Sequence, residues 1–380
     1  MTLLSLPTNR EEAWRWSDLS ALPELAAREP GSLGSPLTNL WLDCAIGGPR
    51  LLFVDGKLDA DRSDPVIVAV GTVKSEPADH AFARMVGSEG WTLKLGRDHA
   101  PPGLVQIVHV STGAADHLPA RIELDVDAQA SVVETYVGDG WTNRLTHMIL
   151  YRGARLMLSR RLVGTGGYVS LVDRATIGEG ASLVVANLAA GGADTRIDGQ
   201  VTIAGEAGFA EAGGALLARG RQRHDANYVV RHEAIGGMSR QLWRSVADDR
   251  ATCSVAARVE VARGAQKTDG EQSLKGLLLN RGATINAKPE LEIFADDVKC
   301  AHGATVGELN RDALFYLASR GVPAPEAKAL LTQAFVADAI DRIGEEKVRE
   351  AFQANARAWL GSSPSPLAGE GGARREALGG

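Results

Sequence analysis

A corner of small residues recurs along the middle of this chain, as "DAQASVVE", "YRGARLMLS", "GEGASLVV", "GEAGFAE", "ARGAQKTD", "NRGATINA" and "AHGATVG". Anchored on Ala130, Ala154, Ala181, Ala207, Ala265, Ala283 and Ala304, most steps are roughly 18 to 27 residues, the spacing of solenoid coils. One step is about twice as long and implies a missed coil between 207 and 265. Glycine and alanine suit a corner that needs a tight turn and close backbone approach. The rungs between, such as "HMILY", "YVSLV", "SLVVA" and "ARVEV", are apolar and β-branched, as stacked strands require. These features predict a mainly β protein, a right-handed parallel β-helix with flanking helical regions. A two-sheet antiparallel sandwich uses the same short strands and turns, but it has no reason to repeat its corners.

The core is expected over residues 85–307. Before it, 1–84 reads as helix and short strands. Thr8 or Asn9 can cap a helix carrying Glu11, Glu12, Trp14, Trp16 and Leu19. Two tryptophans two apart cannot share a helix face, so one is expected to pack on the rest of the chain. "RLLFVDGKLD" predicts a hairpin turning at Asp55-Gly56, and Pro65 to Val70 another short strand. Residues 308–361 switch to helical period. "ELNRDALFYLASR" stops at Gly321 with Pro323 beyond, and a second helix repeats Leu330, Leu331, Phe335, Val336, Ile340 and Ile343. A third holds Val348, Phe352 and Trp359. The Gly/Pro/Ser-rich end, 362–380, is expected to be disordered.

A net charge of −6 argues against bulk nucleic-acid binding. Three distant cysteines, Cys44, Cys253 and Cys300, make neither a disulfide framework nor a zinc knuckle and fit a reducing compartment. With no signal-like start and no long apolar run, a cytoplasmic protein without a membrane span is expected. No phosphate-binding G-x-x-x-x-G-K-[ST] occurs, so the chain is not itself a P-loop ATPase. The crowded glycines of "GTGGY" at 164–168 read as a solenoid turn rather than a dinucleotide loop. The arginines 219, 221, 223, 231, 240 and 244, with His224 and His232, are read as a polar outer face paired with Asp225, Glu233, Asp248 and Asp249, or else as a partner surface. Cys253 reads as core.

One stretch carries candidate chemistry: Lys288 to Gly307, "KPELEIFADDVKCAHGATVG". Cys300 and His302 stand two apart, so on a strand they share a face. A thiolate and an imidazole converging there make a soft-metal or thiol site; the alternative is a packed cysteine and a hydrogen-bonded histidine. Asp296 and Asp297 are adjacent, which on a strand opposes an acid/base pair and counts against a carbohydrate-active β-helix enzyme.

This stretch, with "VARGAQKTDGEQSLKGLLLNRGATINAKPELEI" before it and "LNRDALFYLASRGVPAPEAKALLTQAFVADAIDRI" after it, closely resembles the SufB/SufD family of iron–sulfur cluster assembly proteins over residues 220–345. The "ADDVKCxHGATVG" form is similar to the SufD branch. The resemblance implies a non-ATPase subunit of a SUF-type complex. It would pair with a paralogous SufB-like scaffold through the β-helix and bind a SufC-like ABC-type ATPase through the C-terminal helices. Phe315, Leu330, Leu331, Phe335 and Ile340 are the expected ATPase contacts. Cys300 and His302 would hold iron or a nascent cluster, transient and shared with the scaffold. A flavin is allowed on such complexes, but no flavin motif occurs here. A metal-free interaction subunit of the same complex is the other reading.

Overall fold

Seven residues, one per coil, hold the left-handed backbone conformation: Asp98, Asp127, Gly153, Gly180, Ala207, Gly236 and Lys267, with φ between 54° and 71°. Each donates its N–H to a carbonyl in the next corner, from Val126, Arg152, Glu179, Glu206, Ile235, Gln266 and Asp297, at 2.5–3.0 Å. This hydrogen-bonded file is what the sequence repeat encodes. Three of the alanine anchors, Ala154, Ala181 and Ala207, sit at or beside this position, Ala265 lies two residues before it, and Gly236 marks the missed coil.

The computed structural model describes residues 6–32, 41–44, 47–74 and 79–361. The expected disordered tail, 362–380, lies outside the described residues. The first strands are β1 (Arg50–Val54), β2 (Lys57–Leu58), β3 (Val68–Thr72), β4 (Glu89–Leu95), β5 (Val105–Ser111) and β6 (Ala115–Leu124). The stack continues with β7 (Gln129–Gly138), β8 (Trp141–Leu150), β9 (Arg155–Leu162), β10 (Tyr168–Ile177), β11 (Ser182–Ala189) and β12 (Asp194–Ile203). It ends with β13 (Phe209–Ala218), β14 (Arg223–His232), β15 (Met238–Ala247), β16 (Thr252–Val261), β17 (Asp269–Leu278), β18 (Thr284–Ile293) and β19 (Lys299–Glu308).

From β4 onward, strands alternate between two parallel sheets. The odd sheet runs from β2 and β1 through β5 to β19, and the even sheet from β3 to β18. The result is a parallel β-solenoid of about eight turns. Antiparallel pairing is confined to the opening, in β1–β2, β3–β4 and the Arg50–Asp64 bridge, so the sandwich does not form. The expected hairpin turns on Asp55 and Gly56, both left-handed, and β1 already pairs parallel with β5.

The coil length corrects the expected step. Tyr168 pairs with Asp194, 26 residues on, whereas Thr252 pairs with Thr284, 32 residues on. Ala265 and Ala283 differ by less because they precede strands of opposite sheets. Ala304 is not at a corner at all but inside β19. The glycines at 164–167 form a corner, as expected. A Cβ on Gly167 would lie 2.1 Å from the Gly140 carbonyl oxygen of the coil before, so no other residue fits there.

Apolar side chains fill the space between the sheets, including Trp91, Leu158, Leu171, Ile197 and Trp243. An ionic knot interrupts them. Arg160 donates to Glu134 at 2.7 Å and to both oxygens of Asp173 at 2.8 Å, and Tyr228 donates to Asp173 at 2.7 Å. All four residues are fully buried. Burial works against ionised Glu134, but Arg160 and His109 together outweigh it and hold the carboxyl down at about 2.

The N-terminal lead does not form the expected capped helix. It makes a 3₁₀ turn, Glu12–Trp14, and a short helix α1 (Leu22–Ala26). Arg196 explains the break. It donates to the Ala13 carbonyl and the Ser17 hydroxyl at 2.8 Å, stacks on Trp14 at 4.5 Å and grips Asp198 with two bonds. Of the tryptophan pair, Trp14 is the one packed on the solenoid, against Phe82. Glu12 pairs with Lys288 of β18 at 2.5 Å.

Three helices follow β19: α2 (Arg311–Ser319), α3 (Ala324–Ile340) and α4 (Glu346–Gly361). Asn310 caps α2 by accepting from the N–H groups of Asp312 and Ala313. Gly321 closes it in the left-handed conformation, with Val322 N–H donating to Leu317 at 3.1 Å. The apolar faces of α3 and α4 pack on the odd sheet, Val336, Ile340, Phe352 and Trp359 meeting Leu188, Leu217 and Val246.

Candidate functional site

Strands β18 and β19 end their sheets, and among the described residues neither has a partner on its outer edge. In β17 the buried positions are Gly270, Gln272, Leu274, Gly276 and Leu277, and the first four alternate along one lane, Leu277 packing towards the helices instead. The four of that lane pair in register with Cys300, His302, Ala304 and Val306. Cys300 and His302 therefore share a strand face, as expected, and alternation sets that face on the interior side of the last coil.

That lane is only half covered, because no further coil stacks on it. Cys300 is half-buried against a cluster of Val259, Val261, Ala265 and Ala295. His302 is exposed. Burial pushes the Cys300 thiol above its ordinary value and the charge of Asp269 adds to this, while a backbone hydrogen bond from Gly270 opposes it. Burial and the Asp269 charge both favour the protonated thiol. Among the described residues no three His, Cys, Asp or Glu side chains gather into a metal-holding group. The chain thus brings a thiol and an imidazole to an open edge. Asp296 and Asp297 lie in the exposed corner between β18 and β19, not on a strand.

Among the charged groups at this end, three apolar side chains reach the surface. Ile293 and Val306 are partly exposed and Phe294 is 64% exposed. Sequence reading passed over Phe294, although a phenylalanine in a corner next to Ala295 and two aspartates has no core to enter.

The five helical residues divide. Phe315 is 76% exposed, Leu330 is exposed and Leu331 half-buried. Phe335 packs partly, and Ile340 fully, against the odd sheet. The stripe that suggested a docking face is consumed mainly by the chain's own solenoid, which removes Ile340 from the surface. Tyr316, exposed beside Phe315, joins the outward set.

Most of the arginine-rich segment is paired within the chain: Asp248 and Asp249 act on Arg219 and Glu233 on Arg231, as expected, but the direct ion pairs are to other acids. Arg231 meets Glu260 at 2.7 Å, Arg240 meets Asp269 at 2.8 Å, Arg223 approaches Asp18 at 3.6 Å and Arg244 binds Asp338. Arg219 stacks on Trp359 at 4.1 Å. His224 and His232 are buried, and Cys253 is core.

The parallel β-helix ends in an open coil beside a helical flank, and the chain belongs to the SufB/SufD core family. Its residues 109–335 match the family described as "SUF system FeS cluster assembly, SufBD core domain". It is 25% identical to the iron–sulfur cluster assembly protein SufD of Escherichia coli, over 91% of this chain and 87% of that one. It is 24% identical to a SufBD family protein of Mycobacterium tuberculosis, over 92% and 88%. A SufBD family protein of Synechocystis is 38% identical over 38% of this chain and 32% of its own length. The chain therefore acts in iron–sulfur cluster assembly. No helix among the described residues is long and apolar enough to cross a membrane.

Proposed function

We propose that this chain is the SufD-type, non-ATPase subunit of a SUF-type complex. A paralogous scaffold joins it at the open edges of β18 and β19, where unpaired backbone groups accept another strand. One observation carries the reading: a thiol and an imidazole share one lane of an uncovered terminal coil. Iron or a nascent cluster is cargo at this place. Cys300 binds it as thiolate after losing its proton, and His302 offers a ring nitrogen. The remaining ligands come from the scaffold, which keeps the site open and its cargo exchangeable. An ABC-type ATPase docks on the outward residues of α2 and α3, Phe315, Tyr316 and Leu330.

The packing of Cys300 against Val259 and Ala265 supports a second reading, a subunit that contributes contacts alone. Iron and sulfide are to be measured in the complex co-purified with scaffold and ATPase, wild type against Cys300→Ala/His302→Ala, with assembly followed by light scattering. Normal assembly with lost iron is the expected result. Unchanged assembly and unchanged iron would leave only the second reading.

A further inference from the structure

Gln272 of β17 stands beside His302 of β19 and, on its other side, beside Gln241 of β15. The three occupy one interior lane, on strands about 4.8 Å apart. Gln272 is 1% exposed, yet neither its amide nitrogen nor its amide oxygen has a hydrogen-bond partner among the described residues. Buried amides are nearly always paired. An unpartnered one next to a candidate ligand needs a reason.

Gln241 gives the lane a direction. Its Nε2 donates to the Arg258 carbonyl at 2.8 Å, and its Oε1 is unpartnered. That oxygen is the acceptor left for the Gln272 amide N–H. Gln272 then presents its own oxygen outward, to His302. The lane beside the thiol is closely packed: a Cβ on Gly270 would meet Val259 Cγ1 at 3.3 Å, Cys300 Sγ at 3.4 Å and Ser239 Oγ at 3.5 Å.

We infer that Gln272 is the positioning residue for His302. Its Oε1 accepts the ring N–H on its side, fixes the tautomer and leaves the other nitrogen's lone pair for iron. A hydrogen bond to the far nitrogen is the usual support of a metal-binding imidazole. This rests on the reading of His302 as a ligand under Proposed function.

The test uses the full chain with ¹⁵N-labelled histidine, the His302 signals being assigned by their loss in His302→Gln. In wild type one tautomer should dominate. Gln272→Leu and Gln272→Met, which lack an acceptor, should return the ring to a tautomer mixture. Both should also weaken cobalt(II) binding, read by thiolate-to-cobalt absorption, about 10-fold or more, while Gln272→Glu restores both. The two apolar variants guard against one simply misfolding, and melting temperature checks each. An unchanged tautomer in folded Gln272→Leu and Gln272→Met overturns the inference. If the tautomer responds but His302→Gln binds cobalt as wild type does, the ligand reading falls instead.

Discussion

Arg244 on β15 reaches out of the solenoid to Asp338 on α3, donating through Nε at 3.0 Å and through Nη2. Its Nη1 is held by the carbonyls of Trp243 at 2.9 Å and Ser273 at 3.0 Å. The guanidinium is 3% exposed and the carboxylate 44%. One nearly buried arginine thus ties two adjacent coils to the helical flank.

Removing it should loosen that flank before the coils. With Asp338 half in water, Arg244→Ala is expected to cost ~1–2 kcal/mol, and Asp338→Asn less, since the amide still accepts a hydrogen bond. Hydrogen exchange should speed up first in α3 and α4. Exchange as slow as wild type in Arg244→Ala would refute the lock.

The helical apolar residues should fall into two classes. Phe315→Glu and Leu330→Glu change stability by no more than ~0.5 kcal/mol and reduce co-purification with the ATPase partner. Ile340→Ala opens the core and costs ~2–5 kcal/mol. Thermal melts and pull-downs read the two effects separately, and a stable Ile340→Ala together with an unfolded Phe315→Glu would reverse the assignment.

Stability should fall on mild acidification. His109, His224 and His232 are buried, and burial lowers each to about 4. In the unfolded chain they titrate near ~6.5. Between these values the unfolded chain binds more protons, so the stability is whole above ~6.5 and lost as pH falls towards 4, on the order of 2–3 kcal/mol per ring by then. Urea midpoints at pH 7.5 and pH 5 measure this, with His224→Gln flattening the slope. Equal midpoints would contradict it.

The solenoid was legible because its corner needs a left-handed residue once per coil, and few residue types tolerate that. The phase and step were less so, since alanines also mark half-coils and, at Ala304, a strand. That error propagated. Arg231 pairs with Glu260 and Arg240 with Asp269, each acid 29 residues on, one coil away rather than nearby in sequence. The knot around Arg160 was hidden for the same reason: its acids belong to other rungs. The Cys300–His302 lane was readable because strand alternation is local. Whether the α3 stripe faced its own sheet or another protein was not, since an apolar stripe looks the same in both cases.

The clamp on the N-terminal lead also orders events at the ribosome. The groups that hold the lead, Arg196 for Ala13, Ser17 and Trp14, Arg223 for Asp18 and Lys288 for Glu12, are all synthesised long after it. Coils add neighbour on neighbour as they emerge, while the lead waits for three successive catches, the last in the final coil of the even sheet. A nascent chain halted before Lys288 keeps that third catch open, so full closure of the lead reports that the terminal coil has been made.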